Sequence, residues 1–145
     1  MTTARDLLRG KPGETWSISP DATVFDALSL MAEKDVGALL VFNEKGGLEG
    51  ILSERDYARK VILKGKASRD IPVREIMTSK VVCVGPDQTI EGCMALMTLK
   101  RVRHIPVLEG ERVAGIISIG DVVKSIIADQ QFTIEQMESY IAGHY

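Results

Sequence analysis

One stretch occurs twice, Gly50-Ile51-Leu52-Ser53-Glu54-Arg55-Asp56 and Gly115-Ile116-Ile117-Ser118-Ile119-Gly120-Asp121, at a spacing of 65 residues. Each reads as a short apolar strand that ends in a hydroxyl residue, with a carboxylate three positions later in the first turn of a helix. Such a turn leaves backbone N–H groups without intrahelical partners, and these favour anions such as phosphate. A serine can donate to a phosphate oxygen, and an aspartate can accept from two adjacent hydroxyls, so a ribose phosphate would use both. The plainer reading is that Asp56 and Asp121 cap their helices while the serines satisfy nearby backbone. Recurrence in matching context adds weight to the ligand reading.

The rest of the chain repeats around this motif. Ala4-Arg5-Asp6-Leu7-Leu8 reads as a short helical lead-in, and Val73-Arg74-Glu75-Ile76-Met77 reproduces its pattern. Extended segments follow at Trp16–Asp21 and Val82–Asp87, stopped by Pro20 and Pro86. Thr23 and Thr89 are placed as helix N-caps. Beyond them, Val24, Ala27, Leu28, Met31 and Ala32, and then Ile90, Cys93, Met94 and Met97, have the spacing of a helix with one buried face. Two strands come next in each copy, Ala38–Phe42 and Ile105–Leu108 being the first of each pair. Helices carrying Tyr57, Val61 and Ile62, or Val122, Val123, Ile126 and Ile127, close the copies, with Gly65 as the stop of the former. The order is strand, helix, strand, strand, helix, twice over. This predicts an α+β fold of two pseudo-symmetric β-α-β-β-α repeats packed sheet to sheet, since one copy alone has too few elements to bury its sheet. The expected divisions are residues 1–70, the first repeat with its lead-in; 71–129, the second; and 130–145, a helical tail. Lys64–Asp70 reads as a polar connector.

A formal net charge of -2 argues against bulk binding to nucleic acid, which needs a basic face. No apolar stretch approaches the roughly 20 residues that span a bilayer. Near Met1 the charged Arg5, Asp6 and Arg9 interrupt any signal-peptide pattern, so the expected compartment is the cytoplasm. Cys83 and Cys93 are not spaced as C-x-x-C and read as small buried hydrophobes. With only His104 and His144 to add, no metal site is expected. After Asp129, Thr133 with Gln136 matches a capping box, and Ile134, Met137 and Ile141 share a helical face. That face either docks on its own domain or joins a partner subunit.

These residues resemble a tandem pair of CBS (cystathionine-β-synthase) domains, from about Ala4 to Ala128. The anchors are Pro20 and Pro86, the middle strands, and the twice-repeated Gly-x-x-Ser-x-x-Asp. Arg103-His104 and Pro106 in the second copy fit many family members, whereas the first copy departs from them with Gly37-Ala38 and Leu40. The resemblance implies a regulatory module without its own catalytic domain, commonly a homodimer. It also implies adenine ligands such as AMP, ADP, ATP or NAD, held in clefts between the copies, with no cofactor required. Carried over, one site uses Ser53, Arg55 and Asp56, and the other Ser118, Gly120 and Asp121. The family pattern would bring Arg103 and His104 to the Asp56 site, and Val36, Gly37 and Ala38 to the Asp121 site.

The residues can be set beside the demands of an adenosine phosphate. Ile51, Ile116, Val36 and Val102 could line an apolar slot for the base. Arg55 and Arg103 are the better planar phosphate donors, and His104 could add charge that depends on pH. Gly120 stands where the other motif has Arg55, which predicts a looser phosphate requirement at the Asp121 site. No nucleophile-base spacing or paired catalytic carboxylates assemble, so an enzyme is not expected. The leading expectation is a sensor that reports nucleotide occupancy to an unidentified protein target. The alternative is a ligand-independent structural dimer adaptor that uses the C-terminal helix.

Overall fold

In the computed structural model, which describes residues 1–11 and 15–141, Thr23 and Thr89 accept hydrogen bonds from the N–H groups of Asp26 and Gly92, each at 3.1 Å, and so start two matching helices. The elements run α1 (Ala4–Arg9), β1 (Ser17–Ile18), α2 (Val24–Lys34), β2 (Ala38–Phe42), β3 (Leu48–Ser53) and α3 (Glu54–Lys60). They continue with α4 (Ile90–Lys100), β4 (His104–Glu109), β5 (Arg112–Ser118) and α5 (Ile119–Ile141). Single 3-10 turns lie at Ile62–Lys64 and Val73–Glu75. The fold class is α+β, as the repeat predicts. Gly65 ends the first of these turns with a φ of 68°.

The chain forms two compact units, Glu14–Val81 and Met1–Gly13 with Val82–Tyr145. In the first, β1 pairs parallel to β2 and β2 antiparallel to β3. Its core joins Val24, Ala27 and Met31 of α2 to Leu39, Val41 and Leu52 of the sheet. In the second, β4 pairs antiparallel to β5, and Ile90, Cys93 and Met97 of α4 pack with Ile105, Val107, Ile117 and Val122. The helical stripes therefore face the cores as their spacing requires, except that Ala32 is exposed. Cys93 is buried and Cys83 half-buried, and burial pushes both thiols above their ordinary pKa.

The second copy does not form the expected strand at Val82–Val84. Only a parallel bridge joins Val84 to Val107. In the first copy the Leu40 N–H donates to the Trp16 carbonyl at 3.1 Å. The matching residue in the second copy is Pro106, which has no N–H to give, so the pairing shrinks to the bridge.

The lead-ins are also grouped differently from the sequence order. Residues 4–8 belong with the second copy and residues 73–77 with the first. Ala4 and Arg5 donate their N–H groups to Gln88 and Pro86, as Val73 and Arg74 donate to Ala22 and Pro20. Arg5 pairs with Asp87, and Arg74 with Asp21. The expected boundaries at 70 and 71 thus give way to an exchange, because each lead-in caps the Pro-to-Thr corner of the other copy.

A third difference concerns the tail. α5 runs unbroken for 23 residues, so no separate element begins at residue 130. Thr133 is no cap: its hydroxyl donates to the Asp129 carbonyl one turn back, at 3.0 Å. The expected tail segment extends past Ile141, and its last four residues, His144 among them, lie outside the described part.

Candidate functional site

Both motifs place their aspartate by the same local device. At the β3–α3 junction the Ser53 N–H donates to Asp56 Oδ2 at 2.9 Å, and the Asp56 N–H donates to Ser53 Oγ at 3.3 Å. The Ser53 hydroxyl also donates to Asp56 Oδ2, at 3.1 Å. At the β5–α5 junction the Ser118 N–H reaches Asp121 Oδ2 at 2.8 Å, and the Asp121 N–H reaches Ser118 Oγ at 3.2 Å. The capping role considered from sequence is therefore real. It consumes first-turn amides that an anion would otherwise meet, and the Glu54 and Ile119 amides go to the carbonyls of Gly37 and Arg103. What it leaves is a carboxylate fixed in place, with Asp56 14% and Asp121 22% exposed.

Each carboxylate also carries a lysine that the motif does not contain. Lys60 lies 3.2 Å from Asp56 Oδ1 and donates to the Ile76 carbonyl at 2.9 Å. Lys11 lies 2.7 Å from Asp121 Oδ2 and donates to the Ile116 carbonyl at 2.9 Å. Lys60 is one helical turn from Asp56, a spacing readable in the sequence. Lys11 is 110 residues from Asp121, and no local pattern announces it. Burial pushes the Asp121 carboxyl up, but the donors from Lys11 and the Ser118 N–H outweigh it and hold the group below its ordinary value.

The remaining expected residues sort by unit. Gly37 and Ala38 lie beside Ser53, since Ala38 is the register partner of Ser53, and Val36 packs against that unit's core. Arg55 is half-buried in the first turn of α3. His104 is the register partner of Ser118, and Arg103 just before it is exposed. Burial lowers the His104 pKa, and Lys11 lowers it further, against a smaller upward pull from Asp121; Arg103 adds a minor lowering. The reach of Arg103 and His104 to Asp56, and of Val36, Gly37 and Ala38 to Asp121, is a relation between units and rests on the resemblance alone.

The opening glycines of the motifs have a packing reason. A Cβ on Gly50 would stand 2.7 Å from Met77 Sδ and 3.0 Å from the Thr78 carbonyl oxygen; one on Gly115 would stand 2.6 Å from Leu8 Cδ2. Leu8 and Met77 are matching residues of the two lead-ins. Each motif strand therefore begins bare so that a lead-in can lie across it. Gly120 differs: a Cβ there would meet only Ser118 Oγ, at an ordinary 3.6 Å.

The model of the CBS domain matches this chain twice, over residues 14–63 and 73–128. The chain belongs to the CBS-domain family. Among its relatives, the CBS domain-containing protein CBSX3, mitochondrial, of Arabidopsis thaliana is 38% identical over 99% of this chain and 74% of its own length. A putative signal-transduction protein with CBS domains from Burkholderia ambifaria superposes with a TM-score of 0.85 at 51% identity, covering 92% of this chain and 99% of that one. A hexameric CBS-CP12 protein from bloom-forming cyanobacteria matches at a TM-score of 0.76 and 31% identity, covering 85% of this chain and 70% of its own. Tandem CBS proteins of this kind are regulatory modules. Among the described residues no helix is long and apolar enough to cross a membrane, and no cluster of side chains could hold a metal ion.

Proposed function

We propose that this CBS pair is a sensor that binds an adenine nucleotide (AMP, ADP, ATP or NAD) through its two motif aspartates and reports occupancy to a protein target. The observation that carries the reading is the aspartate pair itself. Asp56 and Asp121 are each largely buried, each fixed by a serine, and each in contact with a lysine ammonium. A fixed carboxylate suits ribose hydroxyls, and a neighbouring cation suits phosphate. Lys11 gives the Asp121 half-site a cation from outside its motif, as Lys60 does for Asp56, so the difference of Arg55 against Gly120 between the half-sites stands. Ligand that selects one arrangement of the protein biases it toward that arrangement, which a partner can read. We take the assembled form to be a homodimer and the compartment to be the cytoplasm.

A thermal-shift panel of AMP, ATP, NAD and S-adenosylmethionine tests the reading, since a ligand at 100 times its dissociation constant stabilises by about 2.7 kcal/mol. Asp56→Ala and Asp121→Ala should each weaken one of two binding events by roughly ten- to a hundredfold in calorimetry. Full affinity in both variants would refute the assignment. Silence across the panel leaves the ligand-independent adaptor.

A further inference from the structure

Helix α5 has two faces with different fates. Val122 is buried in its unit's core and Ile126 packs against it. On the other side Val123, Ile127, Gln130, Ile134, Met137 and Ile141 follow one another at alternating steps of four and three residues, and all six are exposed. The seam runs ~27 Å along the helix at about 1.5 Å per residue. Beyond the Thr2 hydroxyl that donates to Asp129, residues 130–138 are exposed on every side. A dozen helical residues standing in water are marginal on their own, and a continuous apolar seam along them calls for a covering surface. The steps of four and three are those of a seam that faces another helix, with Gln130 as one polar layer that fixes register.

Charge identifies the covering helix. Lys124 and Glu138 flank the seam on the same side, at equivalent heptad positions, and neither makes an ion pair within the described chain. They stand ~21 Å apart along α5, too far to meet in one molecule. Equivalent flanking positions of this kind face each other only when the second helix runs antiparallel. The antiparallel register that uses all six seam residues sets Val123 against Ile141, Ile127 against Met137 and Gln130 against Ile134. That same register brings Lys124 of one copy beside Glu138 of the other, twice. A parallel pair would leave both charges unmatched.

We infer that the exposed seam of α5 is covered by α5 of a second copy, antiparallel, with the Lys124–Glu138 contact made at both ends. This deepens the homodimer part of the reading above and is independent of nucleotide binding, so a nucleotide-induced thermal shift can survive its failure.

The test is the mass of the full chain by sedimentation equilibrium between 1 and 100 µM, with circular dichroism to confirm that each variant folds. Ile134→Asp and Met137→Asp lie on exposed positions and should halve the assembled mass or raise its dissociation constant at least a hundredfold. Lys124→Glu or Glu138→Lys alone should weaken assembly by about tenfold, because each puts like charges face to face twice. The double exchange Lys124→Glu with Glu138→Lys should bring assembly back to within about threefold of the original. A wild-type monomer at 100 µM, or an assembled mass indifferent to Ile134→Asp, overturns the inference. A double exchange as weak as the single ones overturns the antiparallel register.

Discussion

Replacing Lys11 by Met should loosen the second unit in a way that depends on pH. The ammonium of Lys11 holds Asp121 at 2.7 Å and the Ile116 carbonyl at 2.9 Å, with Lys11 32% and Asp121 22% exposed. A hydrogen bond to a charged group contributes about 1.5–3 kcal/mol, and partial exposure to water reduces this to about 1–2 kcal/mol. For a chain of this size that corresponds to a fall in Tm on the order of 5 °C. The sign of the pH dependence follows from Asp121, whose carboxyl burial pushes up and whose donors, Lys11 and the Ser118 N–H, pull below its ordinary value. A carboxyl lowered in the folded state contributes stability that is complete above the unfolded value of about 3.9 and is lost as pH falls through the folded value. The difference between wild type and Lys11→Met should therefore be full at neutral pH and close in acid. Urea unfolding at a series of pH values measures it. A cycle with Asp121→Asn, alone and combined with Lys11→Met, isolates the pair. A coupling below about 0.3 kcal/mol at pH 7, within the usual error of additivity, would refute the view that this pair clasps the amino-terminal segment to the second copy.

Gly50→Ala should cost about 1–3 kcal/mol, because its Cβ would press on the Thr78 backbone oxygen as well as on Met77. Gly115→Ala should cost less, since the crowding atom is the end of the flexible Leu8 side chain; equal losses in chemical denaturation would count against this packing account. His104, lowered first by burial and then by Lys11, should titrate below about 6.5 in proton NMR, and Lys11→Met should raise it. Because a lowered histidine gives stability that is complete above the unfolded value and lost as pH falls, His104→Gln should flatten the stability profile below about pH 6.5. Gly120→Arg has room for its Cβ and should fold normally. Calorimetry should show it binding AMP about tenfold more tightly relative to adenosine, if a cation at that position meets phosphate.

Much of the fold was legible because duplication doubled every signal. Thr23 and Thr89 each cap a helix, and the residues placed three and four apart after them do face the two cores. The failures have physical causes. Pro106 silences a ladder bond that Leu40 makes, and strand propensity at Val82–Val84 cannot replace a missing N–H. Thr133 and Gln136 have the right spacing for a cap, yet the preceding Ala128-Asp129-Gln130-Gln131 contains neither glycine nor proline, and nothing stops the helix before them. In the site, Ser53 with Asp56 and Ser118 with Asp121 could be paired from spacing alone. Lys11 could not, since its contact with Asp121 exists only once the amino-terminal segment lies with the second copy.

That exchange of lead-ins explains more than the missed lysine. If residues 4–8 had packed on their own copy, Gly50 would have needed to accommodate Leu8. Instead Gly115 accommodates Leu8 and Gly50 accommodates Met77. The same exchange puts Arg5 on Asp87 and Arg74 on Asp21, and it carries Lys11 to the carboxylate of the later motif. Each motif thus depends on a segment that sequence order assigns to the other copy. A perturbation of residues 1–11 should consequently be felt first around Asp121 and not around Asp56. Hydrogen exchange on Lys11→Met decides this: faster exchange should concentrate in β5 and the first turns of α5, and leave β3 and α3 at their original rates.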